Sequence, residues 1–106
     1  LSAVGGLAVR VCASGPEALR SAVEFRPDLV VLDVMMPGMD GPRTLQELRR
    51  QPMTVATPVV FMTAKVQTHE VTAYQRMGAL DVVFKPFDPM TLAATLRGIW
   101  ERSHDR

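Results

Sequence analysis

Three polar residues, Asp33, Thr63 and Lys85, each directly follow a short apolar run in this 106-residue chain. A carboxylate can attack phosphorus to form an acyl phosphate, a hydroxyl can donate a hydrogen bond to a phosphoryl oxygen, and an ammonium group can offset the charge. If the three runs are neighbouring parallel strands, the side chains converge outside the carboxyl ends of the strands, where ligands bind in open α/β sheets. The three residues therefore predict a site that receives a phosphoryl group.

Four short apolar runs predict the strands that carry these residues, at 7–12, 29–32, 59–62 and 82–84. The two middle runs are apolar at every position, which is typical of parallel strands buried on both faces. The segments between the runs have apolar residues at helical spacing, and Gly and Pro stand where the two patterns change over. This alternation predicts an α/β fold with a doubly wound parallel sheet.

Capping residues and prolines mark the helix boundaries. Ser14 with Pro16, and Asp88 with Pro89, predict the starts of the first and last helices. Gly78 predicts the end of the third helix. These helices return the chain from the carboxyl end of one strand to the amino end of the next.

Two other aspartates, Asp28 and Asp81, stand directly before a predicted strand. Because parallel strands share one direction, both should lie at the opposite edge of the sheet from Asp33. Asp33 is therefore the aspartate that we expect at the edge where chemistry takes place.

The composition favours a single soluble domain, with 47% hydrophobic and 22% charged residues. The net charge of +1 is not segregated into blocks, so we expect no direct binding to nucleic acid or to a membrane surface. Cys12 is the only cysteine, which excludes an internal disulfide and favours the cytoplasm. No apolar stretch approaches the roughly 18 residues that a membrane-spanning helix needs.

Residues 30–41, VVLDVMMPGMDG, resemble the phosphoacceptor segment of response regulator receiver domains. The similarity extends to residues 58–65, PVVFMTAK, which are similar to the family's fourth strand with its switch threonine. It includes GA at 78–79 and KPF at 85–87, which are similar to the family's fifth strand with its Lys-Pro pair. The similarity covers residues 7–100, nearly the whole chain.

The resemblance implies a flavodoxin-like sheet with the strand order 2-1-3-4-5 and one receiver domain over residues 1–106. It implies that Asp33 is the phosphoacceptor, that Thr63 supplies the hydroxyl that follows the phosphoryl group, and that Lys85 is the charge partner. It also implies a Mg²⁺ ion held by Asp33 and the backbone carbonyl of Met35.

Further expectations follow from the resemblance. The phosphodonor would be a sensor histidine kinase or a phosphotransfer protein, and an output domain or a target protein would respond. A homodimer would form through the last two helices, and the domain would catalyse only its own phosphorylation and slow dephosphorylation. The loop at 64–67 would close toward the phosphoryl group, and the Lys85-Pro86 peptide bond would be cis.

The chain departs from the family's pattern at its start. The first strand and the acidic pair that holds Mg²⁺ are absent, and residues 1–6 resemble the end of the first helix, so we expect an N-terminally truncated domain. The missing strand would lie between the strands that begin at Leu7 and Leu29. Omitted residues, another chain or a repacked leading strand could fill that gap, and omission is the expectation. Val82 stands where the family often has an aromatic residue, with Phe84 two residues on and on the same face.

Two alternative functions stay open. A haloacid-dehalogenase-type phosphohydrolase also uses Asp, Thr or Ser, and Lys at strand ends. That class needs a second Asp two residues after the nucleophile, where this chain has Met35. A receiver-like interaction module that is not phosphorylated, because the acidic Mg²⁺ site is missing, is the other alternative.

Overall fold

The computed structural model describes residues 2–4, 7–36, 38–64, 68–85 and 89–104. In these residues one five-stranded sheet has its strands in chain order, β1 (Ser2–Val4), β2 (Leu7–Cys12), β3 (Leu29–Asp33), β4 (Val59–Thr63) and β5 (Asp81–Phe84). The helices are α1 (Gly15–Phe25), α2 (Gly41–Arg50), α3 (Thr68–Met77) and α4 (Pro89–His104). Strands β2 to β5 are parallel, which confirms the predicted α/β sheet.

Helices cover both faces of the sheet. Buried residues of α1 and α2 pack on one face with alternate residues of the strands, and α3 adds its half-buried stripe of Val71, Tyr74 and Met77. Residues Leu96 and Ile99 of α4 pack on the other face. Successive strand residues point to opposite faces, so strands that are buried on both sides must be apolar at every position. The unbroken apolar runs in the sequence have this physical cause.

Two of the predicted helix boundaries, at Ser14 and Gly78, lie within the described residues, and both are confirmed. Ser14 precedes α1, and its hydroxyl accepts a hydrogen bond from the backbone N–H of Glu17 at 3.2 Å. Asp40 caps α2 in the same way through the N–H of Arg43 at 2.8 Å. Gly78 follows α3 with a φ of 114°, a left-handed conformation that favours glycine. The predicted cap Asp88 lies outside the described residues.

The amino-terminal segment corrects one expectation. Residues 2–4 form strand β1, antiparallel to β2 with Val4 opposite Leu7, whereas the sequence resembled the end of a helix. Two glycines are the whole connection between Val4 and Leu7, and a two-residue Gly-Gly link between extended segments is a hairpin signal.

The gap expected in the sheet is closed. Strand β2 pairs directly with β3, in a register that places Val9 opposite Leu29 and Cys12 opposite Leu32. Within the described residues, no strand lies between β2 and β3. An unpaired edge exposes backbone N–H and C=O groups, and direct pairing satisfies them.

Arg49 of α2 holds the turns at the amino edge of the sheet together. Its guanidinium donates hydrogen bonds to the carbonyls of Thr57 at 2.8 Å, Gly78 at 3.1 Å and Thr54 at 3.4 Å. Thr54 and Thr57 belong to the connection between α2 and β4, and Gly78 belongs to the connection between α3 and β5. Burial lowers the pKa of the Arg49 guanidinium. One side chain therefore fixes the end of α3 relative to α2.

Candidate functional site

Asp33 ends β3, and both oxygens of its carboxylate have partners. Oδ1 accepts a hydrogen bond from the backbone N–H of Met35 at 3.0 Å, and Oδ2 pairs with the ammonium group of Lys85. The Asp33 side chain is 21% exposed, so a reagent in solution can reach it. The carboxylate is thus oriented from two sides and stays open on a third.

Lys85 follows β5, which is separated from β3 by β4. Its backbone N–H donates to the carbonyl of Thr63 at 2.8 Å, which fixes the Lys85 backbone to the end of β4. By strand alternation Lys85 and Asp33 both lie on the face of Val83 and Val31, the face that α4 covers. The two charged groups therefore meet in front of the end of β4, as the sequence predicted.

Thr63 ends β4 at the same edge. Thr63 is buried, with 8% of its surface exposed. The structure thus brings Asp33 and Lys85 into direct contact and places Thr63 beside them through its backbone carbonyl. Phe84, the register partner of Thr63, is 51% exposed.

The other two strand aspartates lie at the opposite edge, as expected. Asp28 accepts a hydrogen bond from the N–H of Ala8 at 2.8 Å. Asp81 accepts from the N–H of Val82 at 2.8 Å and forms an ion pair with Arg102 at 3.7 Å. Both carboxylates have structural partners far from the carboxyl ends of the strands.

The loop after Asp33 is tied to β4 and to α2. The N–H of Val34 donates to the carbonyl of Met62 at 3.0 Å, and the N–H of Gly41 donates to the carbonyl of Val34 at 3.1 Å. The Met35 side chain is 80% exposed, so this position offers no second carboxylate and no buried contact. A Cβ atom at Gly41 would lie 2.7 Å from the carbonyl oxygen of Asp33, a close approach that the sequence analysis did not predict.

A Mg²⁺ ion prefers octahedral oxygen ligands and one or two carboxylates. In the part of the chain that the structure describes, no group of three or more His, Cys, Asp or Glu residues could hold a metal. Lys85 already engages Oδ2 of Asp33. The described residues do not complete a Mg²⁺ site. The predicted cis bond at Lys85-Pro86 and most of the loop at 64–67 lie outside the described residues.

Comparison with known proteins decides the family. The model of the response regulator receiver domain matches residues 2–97. The chain belongs to the response regulator receiver domain family. This family generally uses Mg²⁺.

The sequence relatives are whole response regulators. The DNA-binding response regulator MtrA of Mycolicibacterium smegmatis is 40% identical over 100 residues, which are 94% of this chain and 42% of that protein. The alkaline phosphatase synthesis transcriptional regulatory protein PhoP of Bacillus subtilis is 37% identical over 98 residues, which are 92% of this chain and 40% of that protein. The chain spans about two fifths of the length of these curated relatives.

Solved receiver structures share the fold. The chemotaxis protein CheY4 of Vibrio cholerae superimposes with a TM-score of 0.74 at 33% identity, over 83% of this chain and 73% of that chain. A response regulator from Chloroflexus aurantiacus gives a TM-score of 0.71 at 34% identity, over 84% of this chain and 73% of that chain. The chain is therefore a flavodoxin-like receiver domain of a two-component system. Among the described residues, no helix has the length and apolar character needed to cross a membrane.

Proposed function

We propose that this receiver domain accepts a phosphoryl group on Asp33 from a phosphohistidine of a sensor histidine kinase or phosphotransfer protein. A carboxylate oxygen of Asp33 attacks phosphorus, the new O–P bond forms as the P–N bond breaks, and the imidazole leaves with the electron pair and takes a proton. The observation that carries this proposal is the contact between Asp33 and Lys85 at the carboxyl edge of a parallel sheet.

Four groups of this chain have roles in the proposed transfer. Lys85 offsets the charge that the phosphoryl group adds, and the hydroxyl of Thr63 donates to one of its oxygens. The backbone carbonyl of Met35 and the carboxylate of Asp33 are the ligands that this chain offers to Mg²⁺.

Phosphorylation then changes a protein-interaction surface. Thr63 and the loop at 64–67 connect the site to α3, and the exposed faces of α3 and α4 are the surface that an output domain, a target protein or a second copy would contact. A phosphoryl group shifts the equilibrium between two conformations of this surface only if it bonds better to one conformation than to the other. The domain works in the cytoplasm, as a module of a longer response regulator, without direct contact to nucleic acid.

The test is intact mass spectrometry after incubation with acetyl phosphate and Mg²⁺. We expect one added phosphoryl group that hydroxylamine removes, because hydroxylamine cleaves acyl phosphates. Asp33→Asn should abolish the addition. Asp28→Asn is the matched control, because it removes a carboxylate from the opposite edge, and it should leave the addition unchanged. Equal phosphorylation of the Asp33→Asn variant would show that another residue is the acceptor.

A second candidate function is a receiver-like interaction module that is not phosphorylated. The observation in its favour is that the described residues contain no group of three or more His, Cys, Asp or Glu that could hold a metal, and that the Asp33 carboxylate is already paired with Lys85. This candidate predicts no added phosphoryl group at any Mg²⁺ concentration, while the fold and its interaction surface persist. The same mass measurement separates the two functions.

A further inference from the structure

Gly41, the first residue of α2, lies directly against the end of β3 that carries Asp33. A Cβ atom at this position would lie 2.7 Å from the carbonyl oxygen of Asp33, 3.0 Å from the Cα of Val34 and 3.2 Å from the ring of Phe61. Carbon and oxygen atoms in close contact are ordinarily about 3.3 Å apart or more. Any side chain at position 41 would therefore push α2 and the end of β3 apart by roughly half an ångström.

Space, and not backbone conformation, requires glycine here. Gly38 and Gly78 have positive φ angles, whereas Gly41 does not, so its backbone conformation suits any residue. The neighbours also matter, because two of the three nearest atoms are backbone atoms, which cannot rotate away as a side chain can. The strain of a substitution at Gly41 must therefore appear as movement of the phosphoacceptor segment or of α2.

This movement reaches the Asp33 carboxylate through two hydrogen bonds. The N–H of Gly41 donates to the carbonyl of Val34 at 3.1 Å, so the start of α2 and Val34 move together. Met35 follows Val34, and its N–H donates to Oδ1 of Asp33 at 3.0 Å. A shift of α2 therefore displaces the donor that orients one carboxylate oxygen, while Lys85 continues to hold the other.

The remaining described glycines differ in what a Cβ would meet. At Gly15 it would meet the Sδ of Met39 and the Oγ1 of Thr44, both at 2.7 Å, which belong to side chains. At Gly98 in α4 the nearest atom is Nη1 of Arg102 at 3.4 Å, an ordinary contact at the end of a flexible side chain. Gly41 alone among them touches the backbone of the phosphoacceptor residue.

We propose that Gly41 is a positioning residue for phosphoryl transfer, which allows α2 to approach β3 closely enough to fix the direction of the Asp33 carboxylate. The expected effect on the rate of transfer rests on the proposed function, whereas the expected displacement of the Asp33 carboxylate rests on geometry alone. In-line attack on phosphorus requires a carboxylate oxygen in a narrow range of positions, so a small displacement slows the transfer without removing any reacting group.

The experiment compares Gly41→Ala with Gly98→Ala, which makes the same chemical change in a helix far from the site. One measurement is the phosphorylation rate constant as a function of acetyl phosphate concentration in the presence of Mg²⁺. The other is the NMR chemical shift of the Met35 amide and of the Asp33 carboxyl carbon. For Gly41→Ala we expect the rate at saturating donor to fall roughly tenfold, with little change in the half-saturating concentration, together with shifts at both NMR probes. Gly98→Ala should match the wild type.

Each outcome decides the proposal. A Gly41→Ala variant with the wild-type rate and the wild-type Met35 and Asp33 signals would overturn it. If the wild type takes up no phosphoryl group, the proposed function fails, and the NMR signals alone still decide whether Gly41 positions Asp33.

A second variant covers the case in which Gly41→Ala does not fold. Gly15→Ala then takes its place, because its Cβ presses on Thr44 of α2 and on Met39 of the loop before it. We expect smaller shifts of the Met35 and Asp33 signals and a smaller loss of rate. Unchanged signals in folded Gly15→Ala would contradict the transmission from α2 to the carboxylate.

Discussion

Replacement of Arg49 by methionine should destabilise this domain strongly, although Arg49 lies at the opposite edge of the sheet from Asp33, the proposed phosphoacceptor. Its guanidinium donates to the carbonyls of Thr57 at 2.8 Å and Gly78 at 3.1 Å, with a longer bond to Thr54 at 3.4 Å. Methionine keeps the apolar stem and removes every donor. The two turns that Arg49 joins would then lose their common partner.

The magnitude follows from the two shorter hydrogen bonds. A hydrogen bond from a charged group contributes roughly 1.5–3 kcal/mol, so the two together contribute at most about 6 kcal/mol. Two effects reduce the net loss. The carbonyls of Thr57 and Gly78 are half-buried and can gain water, and the guanidinium no longer bears the cost of burial that lowers its pKa. We therefore expect the free energy of unfolding to fall by about 3 kcal/mol, and the melting temperature by roughly 12 °C or more.

The assay is urea unfolding monitored by circular dichroism, with Arg50→Met as the matched control. Arg50 is the next residue of α2, its side chain is 75% exposed, and it pairs with Glu47 at 3.1 Å. Exposed ion pairs of this kind contribute about 0.5 kcal/mol or less. Arg49→Lys should lie between the two variants, because a compact ammonium cannot reach three carbonyls in a fixed fork. Equal unfolding midpoints for Arg49→Met and Arg50→Met would refute the reasoning.

Two further predictions concern titratable groups. Burial, and then the charge of Glu70, raise the pKa of Tyr74, the only tyrosine in the chain. The folded pKa lies above the unfolded value, so its stabilising effect is complete below about pH 10 and is lost as the pH rises further. Urea unfolding should therefore show a steeper alkaline loss of stability for the wild type than for Tyr74→Phe, and equal slopes would contradict the prediction. Cys12 is buried, and burial raises the pKa of its thiol, so a thiol reagent should modify one group per chain slowly in buffer and quickly in urea. Rapid modification of the folded protein would show that this thiol is accessible.

Much of the fold could be predicted from local sequence patterns. The two middle strands, β3 and β4, begin and end within a residue of the apolar runs, because a strand buried on both faces tolerates no polar residue in its interior. Ser14 and Gly78 mark helix ends because both meet local requirements. Ser14 accepts a hydrogen bond from an N–H that has no partner within the helix, and Gly78 adopts the left-handed conformation that ends a helix. Requirements of this kind involve only a few neighbouring residues, so they can be predicted from a short stretch of sequence.

The amino-terminal strand was not predicted correctly. The short segment 2–4 is compatible with either a helix or a strand, and its pairing with β2 decides the outcome. The direct pairing of β2 with β3 likewise depends on which edge is free when the sheet assembles. Hydrogen bonding between strands depends on the partner strand, so residues 2–4 alone do not specify it.

The candidate site could be predicted from the sequence as a set of residue types, namely an acid, a hydroxyl and an ammonium group at three strand ends. The folded chain brings Asp33 and Lys85, which are 52 residues apart, into contact, and it places Thr63 beside them with its carbonyl accepting from the N–H of Lys85. Only the tertiary structure decided that Gly41 abuts the phosphoacceptor segment and that Arg49 spans two distant turns. The physical reason is that composition and periodicity describe neighbours along the chain, whereas these contacts depend on strand order and register and on helix packing.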